Sequence, residues 1–253
     1  MNGLFQTQDK GFGSFIVIQN DLIGNFINQN GFWENHLCHI YNNLIKETDI
    51  VVDAGANIGF HTVQFAKKAK KVYSFEPQKL IFNLLSTNIL FNDVSPNVNN
   101  YRLGLGDKKL TLNMTPLIDS IQPGGMENFG GLGLSTENKD TEEVDVVVFD
   151  DLGLDAIDVI KMDIQGSELY ALKGMEKTLD RDEPWIMLEN YIDQENDQKV
   201  IQYLLDKGYE IIRLMIGNKD DCFIIKPNKH QYVKDLLLKS KLPTKLQNKK
   251  TNG

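Results

Sequence analysis

Apolar and polar positions along the chain switch between two periods, and the switches mark out the elements. Within Asn35 to Lys46, HLCHIYNNLIK sets Leu37, Ile40, Tyr41, Leu44 and Ile45 at helical spacing. Ile50 to Asp53 then reads as a short buried strand, followed by a turn carrying two glycines. After it the pattern predicts a helix with Ile58, Thr62, Val63, Phe65 and Ala66 on or near its inward face. KVYSFEP reads as a second strand stopped by Pro77, IFNLLSTNILFN as a helix, and Val98 to Leu103 as a third strand. Strands separated by helix-length segments imply right-handed crossovers and a mainly parallel sheet.

Downstream, KLTLNM (Lys109 to Met114) and EVDVVVF (Glu143 to Phe149) predict two strands paired as an antiparallel insertion. The Gly-rich stretch between them, 115–142, is either a lid, with Phe129 and Leu132 closing over a ligand, or a segment without fixed structure. The alternation resumes with the strand IDVIKMDI, one helix over SELYALKGMEKTL, the strand PWIMLEN, and the helix VIQYLLDKG stopped by glycine. YEIIRLM and DCFIIKP suggest a late antiparallel pair at the sheet's edge, and KHQYVKDLLLKSK a last helix. The reading therefore divides the chain into a small N-terminal extension (1–34, with a strand at FIVIQ), a core domain (35–228), and a C-terminal helix with a frayed basic tail (229–253).

Composition narrows the partners. The 253 residues are 41% hydrophobic and 25% charged, enough for one large α/β domain, and the net charge of −8 repels phosphate backbones. Cys38 and Cys222 fit no metal or redox spacing; buried thiols are the simpler reading, one disulfide the other. An apolar run of about 18 residues, as a membrane span needs, is missing, and the N-terminus lacks a secretory pattern. A soluble, cytoplasmic protein is expected.

VVDAGANIGF (Val51 to Phe60) carries the cofactor argument. Gly55 and Gly59 permit a sharp turn and close approach of a ligand to the backbone. A dinucleotide-binding turn has G-x-G-x-x-G, whose second glycine admits the pyrophosphate. Here that position is Asn57, and Asp53 ends the preceding strand, where a carboxylate facing the crevice repels phosphate and favours a cation. S-adenosylmethionine, with a sulfonium, an ammonium and a ribose but no phosphate, suits that charge. Glu76, at the end of the second strand, stands near the distance at which an acid holds ribose hydroxyls, a feature shared with NAD.

VVDAGANIGFHT, SFEP, GLGD (Gly104 to Asp107) and DVIKMDIQGSELYALKGM together resemble the FkbM family of S-adenosylmethionine-dependent methyltransferases, over about Trp33 to Asn190. The resemblance implies a class I methyltransferase (Rossmann-like) three-layer α/β sandwich with a mainly parallel seven-stranded sheet and an antiparallel last strand. It also implies methyl transfer to a hydroxyl on a sugar or polyketide-type small molecule. The turn at Asp53, Gly55, Asn57 and Gly59 then holds the methionine part, Glu76 the ribose, and Asp107 borders the adenine. Where the family often has an acid before glycine this chain has Gln165 before Gly166, which weakens any proton-transfer role there. Trp33 and Glu34 match an aromatic–acid pair that suggests a wall of the active site, with packing the simpler role.

Asp163 ends the IDVIKM strand and is the candidate to orient or deprotonate the acceptor hydroxyl, with Ser167 better placed to cap the next helix. Glu189 is a second strand-end carboxylate, His61 a lesser acid–base candidate, and Glu168 a partner for a helix dipole. Asp163 and Glu189 could also support a divalent ion, so the metal question stays open. Base methylation lacks its usual signature, since Asp163-Ile164-Gln165-Gly166 stands where an Asn/Asp-Pro-Pro-aromatic motif would be. RNA ribose methylation, an NAD(P)-dependent oxidoreductase and a non-catalytic cofactor-binding protein are the rivals.

Overall fold

The computed structural model describes residues 3–114, 142–190, 195–216, 219–240 and 242–247. In chain order these form β1 (Leu4–Gln6), β2 (Ile16–Ile18), α1 (Leu22–Asn30), α2 (Asn35–Leu44), β3 (Ile50–Ala54), α3 (Phe60–Ala66), β4 (Lys71–Phe75) and α4 (Lys79–Phe91). Then follow β5 (Val98–Tyr101), β6 (Gly104–Leu105), β7 (Leu110–Met114), β8 (Glu142–Val147), β9 (Val159–Met162), α5 (Glu168–Gly174) and α6 (Glu176–Asp182). The chain closes with β10 (Trp185–Asn190), α7 (Glu195–Asp206), β11 (Glu210–Ile216), β12 (Lys219–Ile225), α8 (Gln231–Lys239) and β13 (Thr244–Gln247).

The main sheet runs β13-β11-β12-β10-β9-β3-β4-β5. Its β10-β9-β3-β4-β5 half is parallel, and β12 is antiparallel to both neighbours. The expected mainly parallel sheet with an antiparallel last core strand is therefore present. DCFIIKP, however, lies inside the sheet between β10 and β11, not at its edge. An eighth strand, β13, comes from the tail expected to be frayed and pairs antiparallel with β11. β7 and β8 form the expected antiparallel pair, joined by β6 into a separate small sheet. The proposed lid, Phe129 and Leu132 included, falls outside the described residues except at Glu142, which opens β8.

Both faces of the main sheet are covered, so its central strands are buried throughout. Alternation divides them between two cores. Val51, Val159, Trp185, Met187 and Phe223 pack with α2, α3, α4 and α8, while Val52, Ile160, Ile186, Leu188 and Ile224 pack with α5, α6 and α7. The helix expected over SELYALKGMEKTL is broken at Met175 into α5 and α6. Gly174 at the break lets the Gly106 carbonyl approach, since a Cβ there would lie 2.0 Å from its oxygen.

Residues 3–31 are a layer of the body more than an extension. Phe15, Val17 and Ile27 belong to the same core as α2–α4. Buried Asn88 of α4 accepts from Ile16 N (2.7 Å) and donates to the carbonyls of Ile16 (3.1 Å) and Ile58 (2.8 Å), fastening this layer to the glycine turn. The helix α1, unforeseen from the pattern, is capped by Asp21, which accepts from Gly24 N at 2.7 Å, and ends on left-handed Gly31.

Candidate active site

The sheet order reverses between β3 and β9, where an open α/β sheet binds its ligand at the strands' carboxyl ends. A cleft opens there, lined by the turn 54–58, Phe75 to Gln78 after β4, Leu103 to Leu105, and Lys161 with Asp163 to Gln165 after β9. Ile23, Trp33, Glu34, Phe60 and His61 complete its wall. Gly55, Asn57, His61, Glu76 and Asp163 are all among the residues that line this cleft.

The turn itself is not a free anion cradle, contrary to the expectation of backbone exposed to a ligand. Gly55 N and Ala56 N both donate to Phe75 O at 3.0 Å, and Gly59 N donates to Ala56 O at 2.9 Å. Asn57 N donates to Glu76 Oε2 (3.0 Å) and Ile58 N to Asn57 Oδ1 (2.6 Å). Gly55, Asn57 and Gly59 are left-handed. The glycines serve the fold's own packing: a Cβ on Gly55 would meet Asp163 O at 1.8 Å, and one on Gly59 would meet Leu85 Cδ1 at 2.7 Å.

Asp53 requires the largest correction. It does not line the cleft but is fully buried beneath it, accepting from Thr62 Oγ1 at 2.6 Å and paired with Lys161 Nζ at 3.4 Å. The reason is strand periodicity, which turns Asp53 to the same side as Val51 and sets it in register with Lys161 of β9. Lys161, overlooked in the sequence, also donates to Gly55 O at 2.8 Å. Burial opposes its charge, but Asp53, Asp163 and Glu34 hold its pKa above the ordinary lysine value.

Glu76 is held at the cleft by two amides, Asn57 N on Oε2 and Gln78 N on Oε1 (2.9 Å). Burial pushes its carboxyl up to about 7 against those bonds and the Lys161 charge. Asp163 Oδ1 accepts from Gln165 Nε2 at 2.6 Å. Ser167 makes no capping bond to α5; Glu168 Oε1 instead accepts from Ile164 N and Gly166 N, each at 3.2 Å.

Three expected site residues lie elsewhere. Asp107 is exposed in the turn between β6 and β7, past the Leu103 to Leu105 stretch that does line the cleft. Gly59 is the N-cap of α3, covered by Leu85. Glu189 is paired in register with Asp221 of β12, one strand removed from the β3–β9 junction. The parallel register of β9 and β10, Met162 against Leu188, brings Asp163 and Glu189 to adjacent strand ends, and no group of three metal-capable side chains occurs among the described residues.

His61 is buried, and its Nε2 is 2.9 Å from Glu34 Oε2. Burial disfavours the imidazolium, but Cys38 beside the ring and the bond and charge of Glu34 carry its pKa up to about 9. The reciprocal effect holds Glu34 below the ordinary carboxyl range, burial notwithstanding, with smaller help from Lys161 and His36. Glu34 is thus part of the site and not only packing, linked to a residue far along the chain that no local pattern announces.

Comparison with known proteins agrees with this geometry. Residues 53–211 match the methyltransferase FkbM domain. Methyltransferase sdnD of Sordaria araneosa is 29% identical over 203 residues, covering 67% of this chain and 76% of that protein. Hexuronic acid methyltransferase AglP of Haloferax volcanii is 29% identical over 185 residues, 71% of each chain. A crystal structure of methyltransferase FkbM from Methylobacillus flagellatus KT superposes with a TM-score of 0.53 at 22% identity. That likeness covers 72% of this chain but only 44% of the longer bacterial one. The domain match runs from the end of β3 to the start of β11, more than half of the chain, so the chain belongs to the FkbM methyltransferase family.

Proposed function

We propose that the chain transfers a methyl group from S-adenosylmethionine to a hydroxyl of a saccharide or related small molecule. The observation that carries the donor assignment is the saturated turn. Each N–H from Gly55 to Gly59 already has an internal acceptor, so the turn has none to offer a pyrophosphate. Lys161 and His61, the cations of the described lining, are both engaged with carboxylates. With those pairs set aside, Glu76 and Asp163 leave the cleft a negative balance that suits a sulfonium and an ammonium.

In this reading Glu76, braced on both oxygens by amides, keeps lone pairs for the ribose hydroxyls. The turn at Gly55 and Asn57 borders the methionine part, and Leu103 to Leu105 the adenine. Ile23 and Trp33 supply an apolar and aromatic wall for the acceptor. Bound there, the donor supplies a methyl carbon activated by its sulfonium; the protein's share is to align the acceptor oxygen and exclude water. The saccharide class draws on the likeness to the hexuronic acid methyltransferase.

The test is incubation with methyl-tritiated S-adenosylmethionine and two acceptor probes, methyl glucoside and methyl glucuronoside. Label in an alkali-stable methyl ether is the expected result. Label only in an alkali-labile ester would refute transfer to a hydroxyl.

A further inference from the structure

Among the described residues three carboxylates line the cleft, and they come from different constructions. Glu76 is fixed by turn amides. Asp163 is built into the β3–β9 junction, its N–H on Ala54 O and its own carbonyl against Gly55. Glu34 arrives from the start of α2, beside Trp33, on the wall assigned above to the acceptor.

Its conformation is unusual. Glu34 is the N-cap of α2 with φ 46° and ψ 54°, a left-handed backbone unfavourable for a side chain of this size. It makes no capping bond to its own helix and reaches His61 instead. A helix cap is given up, and an unfavourable backbone accepted, in an arrangement that keeps a carboxylate in the cleft.

Resting on the hydroxyl-methylation reading, we propose that Glu34 is the catalytic proton acceptor for the acceptor hydroxyl and that His61 is its positioning residue. The acceptor oxygen forms the new bond to the methyl carbon while the carbon–sulfur bond breaks. The bonding pair stays on sulfur, which becomes a neutral thioether, and the hydroxyl proton passes to the Glu34 carboxylate. The proton becomes acidic as the oxygen–carbon bond forms, so an ordinary carboxylate suffices to take it. His61 fixes Oε2 through its Nε2 and balances the carboxylate's charge. It is not itself the base, because its Nε2 is committed to Glu34 and the ring is buried behind that carboxylate. Asp163 has one oxygen occupied by Gln165 and belongs to the junction with the donor turn.

The experiment pairs calorimetry with turnover on the full chain. S-adenosylhomocysteine should bind Glu34→Gln within about threefold of the wild type, while kcat on methyl glucoside falls about 100-fold with KM little changed. His61→Asn supplies a second readout. With the imidazolium gone, and with Lys161 and His36 still bearing on Glu34, the acid limb of the kcat profile should move to higher pH. Glu34→Gln retaining more than a third of kcat, or an unmoved acid limb in His61→Asn, would overturn the proposal. So would a loss of S-adenosylhomocysteine affinity beyond tenfold, which would put Glu34 in the donor site. Failure of the wild type to bind S-adenosylhomocysteine would instead remove the donor reading on which the proposal rests.

Discussion

Two turns leave neighbouring strands, one after β3 and one after β9, and they are held very differently. In the first, five consecutive N–H groups find internal acceptors at 3.0 Å or less. In the second, Ile164 and Gly166 reach Glu168 at 3.2 Å, and Gln165 and Gly166 are both left-handed. Gly55 is required by the backbone that touches it, whereas a Cβ on Gly166 would meet nothing within 4 Å. A glycine at a site is therefore not evidence of a ligand: one makes room for a carbonyl of its own chain, the other only eases a dihedral angle.

Substitution at these turns separates the two cases. Gly55→Ala must displace the β9 exit and should destabilise by on the order of 4 kcal/mol or more, read by urea unfolding. Lys161→Met comes next, leaving the buried Asp53 carboxylate uncompensated at about 3–5 kcal/mol. Adding Asp53→Asn should recover most of that loss; no recovery would mean that Lys161 stabilises through Gly55 O alone.

A pH effect follows from Glu76, which closes the first turn. Its folded pKa, about 7, lies above the ordinary 4.5, so its contribution is full below about 4.5 and is lost as pH rises through 7. Over that window the wild type should lose up to about 3 kcal/mol relative to Glu76→Gln. A flat difference would show the carboxyl to be unperturbed. The smallest effect belongs to the second turn, where Gly166→Ala should cost about 1 kcal/mol through its positive φ alone. Equal losses at Gly55 and Gly166 would dissolve the contrast.

The strands, the glycine turn and the cleft positions of Glu76 and Asp163 were legible because buried parallel strands read as apolar runs ended by turn residues. Asp53 was misplaced because its motif spoke louder than its period. Counted by twos from Val51 it faces inward, and a buried acid then demands a partner, which Lys161 supplies by the same count from Val159. α1 was hidden by Gly24 and three asparagines among its apolar positions, and β13 by Lys245, a residue that suits an edge strand. The Glu34–His61 pair is a tertiary contact that no spacing encodes.

The central claim is that this cleft holds a cationic, phosphate-free donor against a turn whose amides are already spent. Titrating the purified chain with S-adenosylmethionine and with NADH in the same calorimeter tests it most directly. Saturable binding of the first, at least about 100-fold tighter than the second, is the expected result, a gap of about 2.7 kcal/mol. Equal or tighter binding of NADH would contradict it.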